Sequence, residues 1–252
     1  MSKNFELMQR MGAEKVSAAA AEIFGSPRSA TTAPVTSITA SGLDALAREE
    51  SLKIVQRVFL QQGVNSPRVV IFAGVDPGNG CSRICAKTAV LLAANTSAKV
   101  CLVDANLRTP GLPELFGSSN HFGLTESLTQ EGPIGKFLMP IEKDGIWLLS
   151  CGSLTSEFPN LLKADRLRSR IQELRKEFDY VLIDAPPLNL YADGTALGQL
   201  TDGLVLVLEA NATRRETARR VKDVLASNGV PILGAVFNKR TFPIPESLYR
   251  KL

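Results

Sequence analysis

The residues with the clearest chemistry run from Gly74 to Arg83, GVDPGNGCSR. Gly74, Pro77, Gly78, Asn79 and Gly80 make a loop whose backbone N–H groups can turn inward. Ser82 and Arg83 open a stretch rich in Ala, Val and Leu that reads as a helix. A glycine loop between a buried strand and a helix N-terminus cradles phosphate, because unpaired N–H groups and the positive dipole end both favour an anion. The full phosphate-loop pattern is G-x-x-x-x-G-K-[ST], with the lysine on the outer phosphates and the hydroxyl on Mg2+. Here Ser82 supplies the hydroxyl, Cys81 stands where the lysine belongs, and Val75 replaces the first glycine. Asp104 and Asp184 each follow a short apolar run, where a carboxylate can hold Mg2+ directly or through water. Each could also simply cap the turn that follows it. Beside the anion cradle, the two together favour a metal–nucleotide site.

These residues need a scaffold, and hydrophobic periodicity supplies one. Val69 to Ala73, Lys99 to Val103, Gly145 to Ser150, Tyr180 to Ile183, Gly203 to Leu208 and Ile232 to Phe237 read as six strands. Between them lie helical patterns: one capped by Ser41 and running to Gln62, one following the glycine loop, a short one at Leu124 to Leu128, one through Leu167, Ile171, Leu174 and Phe178, and one capped by Thr213 with Ala218, Val221 and Leu225 inward. Alternating strands and helices predict an α/β fold, a doubly wound and mostly parallel sheet with helices on both faces. Ligands bind such sheets at the carboxyl ends of the strands. Gly74, Asp104, Asp184 and Asn238 all fall at such ends, so one site collects them.

Composition bounds the rest. Of the 252 residues 44% are hydrophobic and 21% charged, enough apolar mass for one large domain. Residues 1–40 are rich in Ala, Ser, Thr and Pro and read as a flexible segment or linker, 41–241 as the domain, and 242–252 as a tail. A net charge of +4 is too small to argue for nucleic acid. With no apolar run of membrane-spanning length and no signal-like N-terminus, the expectation is a cytoplasmic protein. Cys85 and Cys101 read as small buried hydrophobes, and with a single histidine and no C-x-x-C pair neither zinc nor disulfides are expected. At a helix N-terminus the Cys81 thiol is expected to have a lowered pKa, and a thiolate would repel phosphate.

The segments PGNGCS, VCLVDANLRTP, EFDYVLIDAPPL and GAVFNKR, in this order, resemble the cytoplasmic domain of bacterial tyrosine autokinases, which serve capsule and exopolysaccharide synthesis and belong to the deviant P-loop partitioning ATPases. The resemblance covers roughly residues 41–241. It implies Asp104 as the second-motif aspartate and Asp184 as the Walker B aspartate, both catalytic and metal-binding, with Ser82 as the metal-binding hydroxyl. Asn238 would contact adenine, ATP or ADP with Mg2+ would be the ligand, and Tyr249 is the candidate for autophosphorylation. A membrane-bound polysaccharide co-polymerase or chain-length regulator would be the partner, recruiting the protein to the inner face of the membrane, with homo-oligomers as a further implication. Departures from the family pattern are Cys81 for the lysine, Arg83 for the following threonine and Asn106 for a second acid. The assembly motif is reduced to Glu50, Lys53 and Gln56, and the tail has one tyrosine. These departures favour a regulatory member with weak nucleotide binding. Two readings stay beside it: an active ATP-dependent tyrosine autokinase whose phosphate site is rebuilt around Arg83, Arg108 or a neighbour's arginine, and a partitioning-type ATPase, although Asp76 stands where that branch carries its own lysine.

Overall fold

The computed structural model describes residues 48–49, 51–60, 66–141, 145–153 and 165–240. Expectations for the N-terminal segment, Ser41, Glu50 and the tail with Tyr249 lie outside those residues. Seven strands form one sheet: β1 (Val69–Gly74), β2 (Val100–Asp104), β3 (Met139–Ile141), β4 (Ile146–Leu149), β5 (Tyr180–Ala185), β6 (Gly203–Glu209) and β7 (Ile232–Asn238). Their order is β3-β4-β2-β5-β1-β6-β7, parallel throughout except for the β3–β4 pair. β3 has no counterpart among the six expected strands. Three residues, one of them Pro140, carry no readable period, and only the edge position lets the proline sit in a sheet.

The helices are α1 (Cys81–Thr96), α2 (Leu112–Leu115), α3 (Leu124–Thr129), α4 (Asp165–Glu177), α5 (Asp193–Gly198) and α6 (Arg215–Ser227). A π-helical stretch, Val55–Leu60, precedes β1. It lies within the helix expected from Ser41 to Gln62. Every residue of β1 and β2 is buried, which is why their sequences read as continuous apolar runs. One side of the sheet, with Val70, Phe72, Leu102 and Leu182, packs under Val58 and Phe59 and under Ile84, Cys85, Ala89 and Leu92 of α1. The other side, with Ile71, Val103, Val181 and Ile183, is covered by Leu167, Ile171 and Leu174 of α4 and by Val221 and Leu225 of α6. At about 1.5–3 kcal/mol for each fully buried aliphatic side chain, these two layers fix the strand order and hence the strand ends.

Thr213 does not cap α6. Arg214 is the N-cap residue, with no side-chain capping bond. The Thr213 hydroxyl instead accepts the Glu209 N–H at 3.0 Å, closing the turn that leaves β6.

Candidate functional site

β1 ends at Gly74 and the chain enters the loop that the glycines foretold. Gly78 and Gly80 have φ of 78° and 81°, values a side chain resists. A Cβ on Gly80 would overlap Nδ2 of Asn238. The loop is braced from within and without: Asp76 N–H donates to Asn79 Oδ1 at 2.8 Å, and Asn238 Nδ2 donates to Asn79 O at 2.8 Å. Asn238, for which the resemblance implies an adenine contact, gives one of its two amide N–H groups to the loop backbone. Gly80 leads into α1 with no side-chain cap, so the first N–H groups of α1 have no intrahelical or capping partner and remain available to an anion.

β2 and β5 lie side by side, with Asp104 directly opposite Asp184. Two carboxylates are thereby set on neighbouring strand ends, but they are held differently. Asp104 accepts three backbone N–H groups, from Asn106 at 3.1 Å and from Gly111 and Leu112 at 3.0 Å each, and so organises the turn after β2. Burial still raises its pKa to about 6 against these bonds. Asp184 is fully buried and accepts the Ser82 hydroxyl on Oδ2 at 2.5 Å. Its Oδ1 is buried without a hydrogen-bond partner. Burial, with the Asp104 charge second, pushes its pKa up to about 7. Gly111 completes the corner, where a Cβ would meet Ser82 Oγ at a tight 3.1 Å.

Cys81 corrects an expectation. Its thiol pKa is raised well above the ordinary range rather than lowered, first by burial and then by the neighbouring Asp184 charge. The residue keeps some exposure, yet its thiol turns inward, where it reaches the Gly74 backbone and lies near Asp184. Cys81 and Asp184 shift each other's titration, and Oδ1 of Asp184 is left without a hydrogen-bond partner. The thiol is therefore neutral and takes the space of the lysine without its charge. The helix dipole does not prevail, because burial and the Asp184 charge both favour the neutral thiol. Cys85 and Cys101 are buried, as expected of small hydrophobes.

Of the candidate replacement cations, Arg108 contacts other side chains and Arg83 is exposed. Arg108 lies over the Tyr191 ring at 4.2 Å from its centroid and pairs with Asp193 at 3.4 Å. Arg83 is exposed on the first turn of α1. Asn106 is occupied with Thr109, accepting its N–H at 3.3 Å and donating to its hydroxyl at 3.2 Å. Lys53, from the reduced assembly motif, pairs with Glu49 at 3.1 Å. Gly111, Asn79 as a loop brace, and the Tyr191–Asp193 hold on Arg108 were not foreseen, because nothing in their local sequence marks contacts made across distant segments.

The donor set fits Mg2+ of the kind held mainly by phosphate and water with one or two protein groups. An unpartnered, buried Asp184 oxygen beside the Ser82 hydroxyl is a position that a cation would satisfy. Among the described residues no group of three His, Cys, Asp or Glu side chains is arranged for a metal by itself.

Comparison with known proteins gives the family. The ParA family model, described as the NUBPL iron-transfer P-loop NTPase, matches residues 67–250. Tyrosine-protein kinase YwqD of Bacillus subtilis (strain 168) is 31% identical over 169 residues, 67% of this chain and 71% of that protein. This chain is a ParA-type P-loop NTPase of the bacterial tyrosine-kinase family. Succinoglycan biosynthesis transport protein ExoP of Rhizobium meliloti (strain 1021) is 30% identical over 178 residues, 68% of this chain and 22% of that longer protein. The solved VpsO kinase domain superposes with a TM-score of 0.71 at 27% identity, covering 78% of this chain and 97% of that one. The P-loop α/β fold expected from the alternation of strands and helices is thus shared with these kinases. Among the described residues no helix is long and apolar enough to cross a membrane.

Proposed function

We propose that this family member acts in exopolysaccharide or capsule assembly as a regulatory protein that binds nucleotide weakly and does not transfer phosphate. The observation that carries this reading is Cys81: a neutral thiol, turned toward Asp184, in the place of the phosphate-loop lysine. Loss of one preorganised donor to transferring phosphate costs about 2.7–4 kcal/mol, or roughly 10²–10³ in rate. Arg108 does not restore it, being engaged by Tyr191 and Asp193.

What persists is the backbone cradle of Gly78–Gly80 and the first turn of α1. These N–H groups serve the inner phosphates, so ADP is bound at least as well as ATP. Mg2+, when bound, would neutralise phosphate charge, and Ser82 and Asp184 are the residues to hold it, with Asp104 fixing the turn alongside. A membrane-bound polysaccharide co-polymerase or chain-length regulator is the proposed partner, and would bring the protein to the inner face of the membrane.

A second reading has one observation in its favour. Ser82, Asp104 and Asp184 keep the arrangement of a metal–nucleotide site, as a working autokinase with a cation from elsewhere would require. Calorimetry with Mg-ADP and Mg-ATP, followed by mass spectrometry after incubation with Mg-ATP, separates the two. We expect weak binding, ADP no weaker than ATP, and no phosphotyrosine. Tight Mg-dependent ATP binding with phosphate on Tyr249, lost in Asp104→Ala or Asp184→Ala, would instead establish the active kinase.

A further inference from the structure

Two side chains outside every motif tie the phosphate loop to the helix beyond it. After β5 the chain doubles back along the end of β1, with Leu188 N–H donating to Gly74 O at 2.9 Å and Asn189 N–H to Val75 O at 3.0 Å. The Asn189 side chain then bridges two elements. Its Nδ2 donates to Asp76 Oδ1 at 3.2 Å, and its Oδ1 accepts from the Arg220 guanidinium of α6 at 2.9 Å. A guanidinium only donates and a carboxylate only accepts, so one orientation of the amide satisfies both. The result is a directed chain from α6 through the amide to the loop. It continues inside the loop, where Asp76 N–H meets the Asn79 side chain and Asn79 O meets Asn238.

The chemistry at stake is charge. Asp76 puts an anionic group on a loop built to receive an anion, and Cys81 removes the cation that would outweigh it. The Asn189 amide ties that carboxylate to the segment after β5 and sets the positive charge of Arg220 behind the amide.

We propose that Asn189 and Arg220 are positioning residues of the phosphate loop, restraining and offsetting Asp76 so that a loop without lysine still accepts a nucleoside diphosphate. The proposal rests on the nucleotide-binding reading above, and two separate measurements keep the failures of each apart.

The first is calorimetry with Mg-ADP. Asn189→Ala and Arg220→Ala should each raise Kd about threefold to tenfold, as expected for loss of one exposed hydrogen bond to a charged group. Asp76→Asn should lower Kd, and in that background Asn189→Ala should change Kd by less than about twofold, since the charge it manages is gone. Equal effects of Asn189→Ala with and without Asp76→Asn would overturn the charge argument, as would an unchanged Kd in both single variants. A purely structural role would move the melting temperature without this dependence on Asp76.

The second measurement needs no nucleotide. Amide hydrogen exchange over residues 75–80 reports the Val75 and Asp76 N–H groups, bonded to Val207 O and Asn79 Oδ1. Asn189→Ala should speed exchange there and leave β2 and β4 unaffected. Unchanged exchange at 75–80 overturns the positioning role whatever the nucleotide does. If the unmodified protein takes up no Mg-ADP while exchange still accelerates, the nucleotide reading fails and the loop-positioning role stands.

Discussion

Replacing Asp184 by asparagine should stabilise the nucleotide-free protein at alkaline pH. The carboxylate is buried, faces Asp104 across one strand pair, and has an oxygen without a partner. Its pKa rises from the ordinary 3.8 to about 7. At about 1.4 kcal/mol per pH unit, keeping this group ionised in the fold costs up to about 4 kcal/mol. The titration is shared with Asp104, so we expect a gain of about 1–3 kcal/mol for the variant. The sign follows from proton counting: between about pH 4 and 7 the folded protein holds a proton that the unfolded chain has released. The stability this group contributes is therefore fully present below about pH 4 and is lost as pH rises through about 7. The substituted amide carries no charge and retains an acceptor for Ser82 Oγ. Urea denaturation of both proteins at pH 5 and pH 8, without Mg2+ or nucleotide, reads the difference. The variant's advantage should grow from pH 5 to pH 8. An advantage equal at the two pH values, or a less stable variant at pH 8, would show that Asp184 already has a compensating partner and that its oxygen gives no reason to place Mg2+ there.

Cys81→Lys should raise ATP affinity and also improve stability at neutral pH, because the ammonium would reach both the phosphate position and Asp184; unchanged affinity in calorimetry would mean that the loop itself has drifted from a binding geometry. Gly80→Ala should cost about 2–3 kcal/mol, combining a positive φ with the displaced Asn238–Asn79 bond. A melting curve like that of the unmodified protein would refute the close packing of β7 against the loop.

Much of this site is legible in the sequence because its parts are local. The Gly78 and Gly80 turn, the hydroxyl at Ser82 and the aspartates after apolar runs each announce themselves within a few residues. The parallel sheet follows from strands buried on both faces alternating with helical periods. That alternation alone puts Gly74, Asp104, Asp184 and Asn238 on one edge. The loss of the lysine at Cys81 is equally plain.

What the thiol does there is decided only by the tertiary structure. A helix N-terminus lowers a thiol pKa when the sulfur faces solvent and the dipole, whereas here the chain folds Cys81 against Asp184 and burial wins. The two aspartates look alike in sequence, yet Asp104 is saturated by backbone N–H groups from a turn up to eight residues away and Asp184 is not. The short strand β3, with a proline at its centre, exists only because β4 offers it an edge. Asn189 and Arg220 carry no motif, and the distance between them in the chain hid a contact of 2.9 Å. Local patterns encode backbone geometry and burial; the charge state of a buried group and the partners of a surface one depend on which distant segments the fold brings beside them.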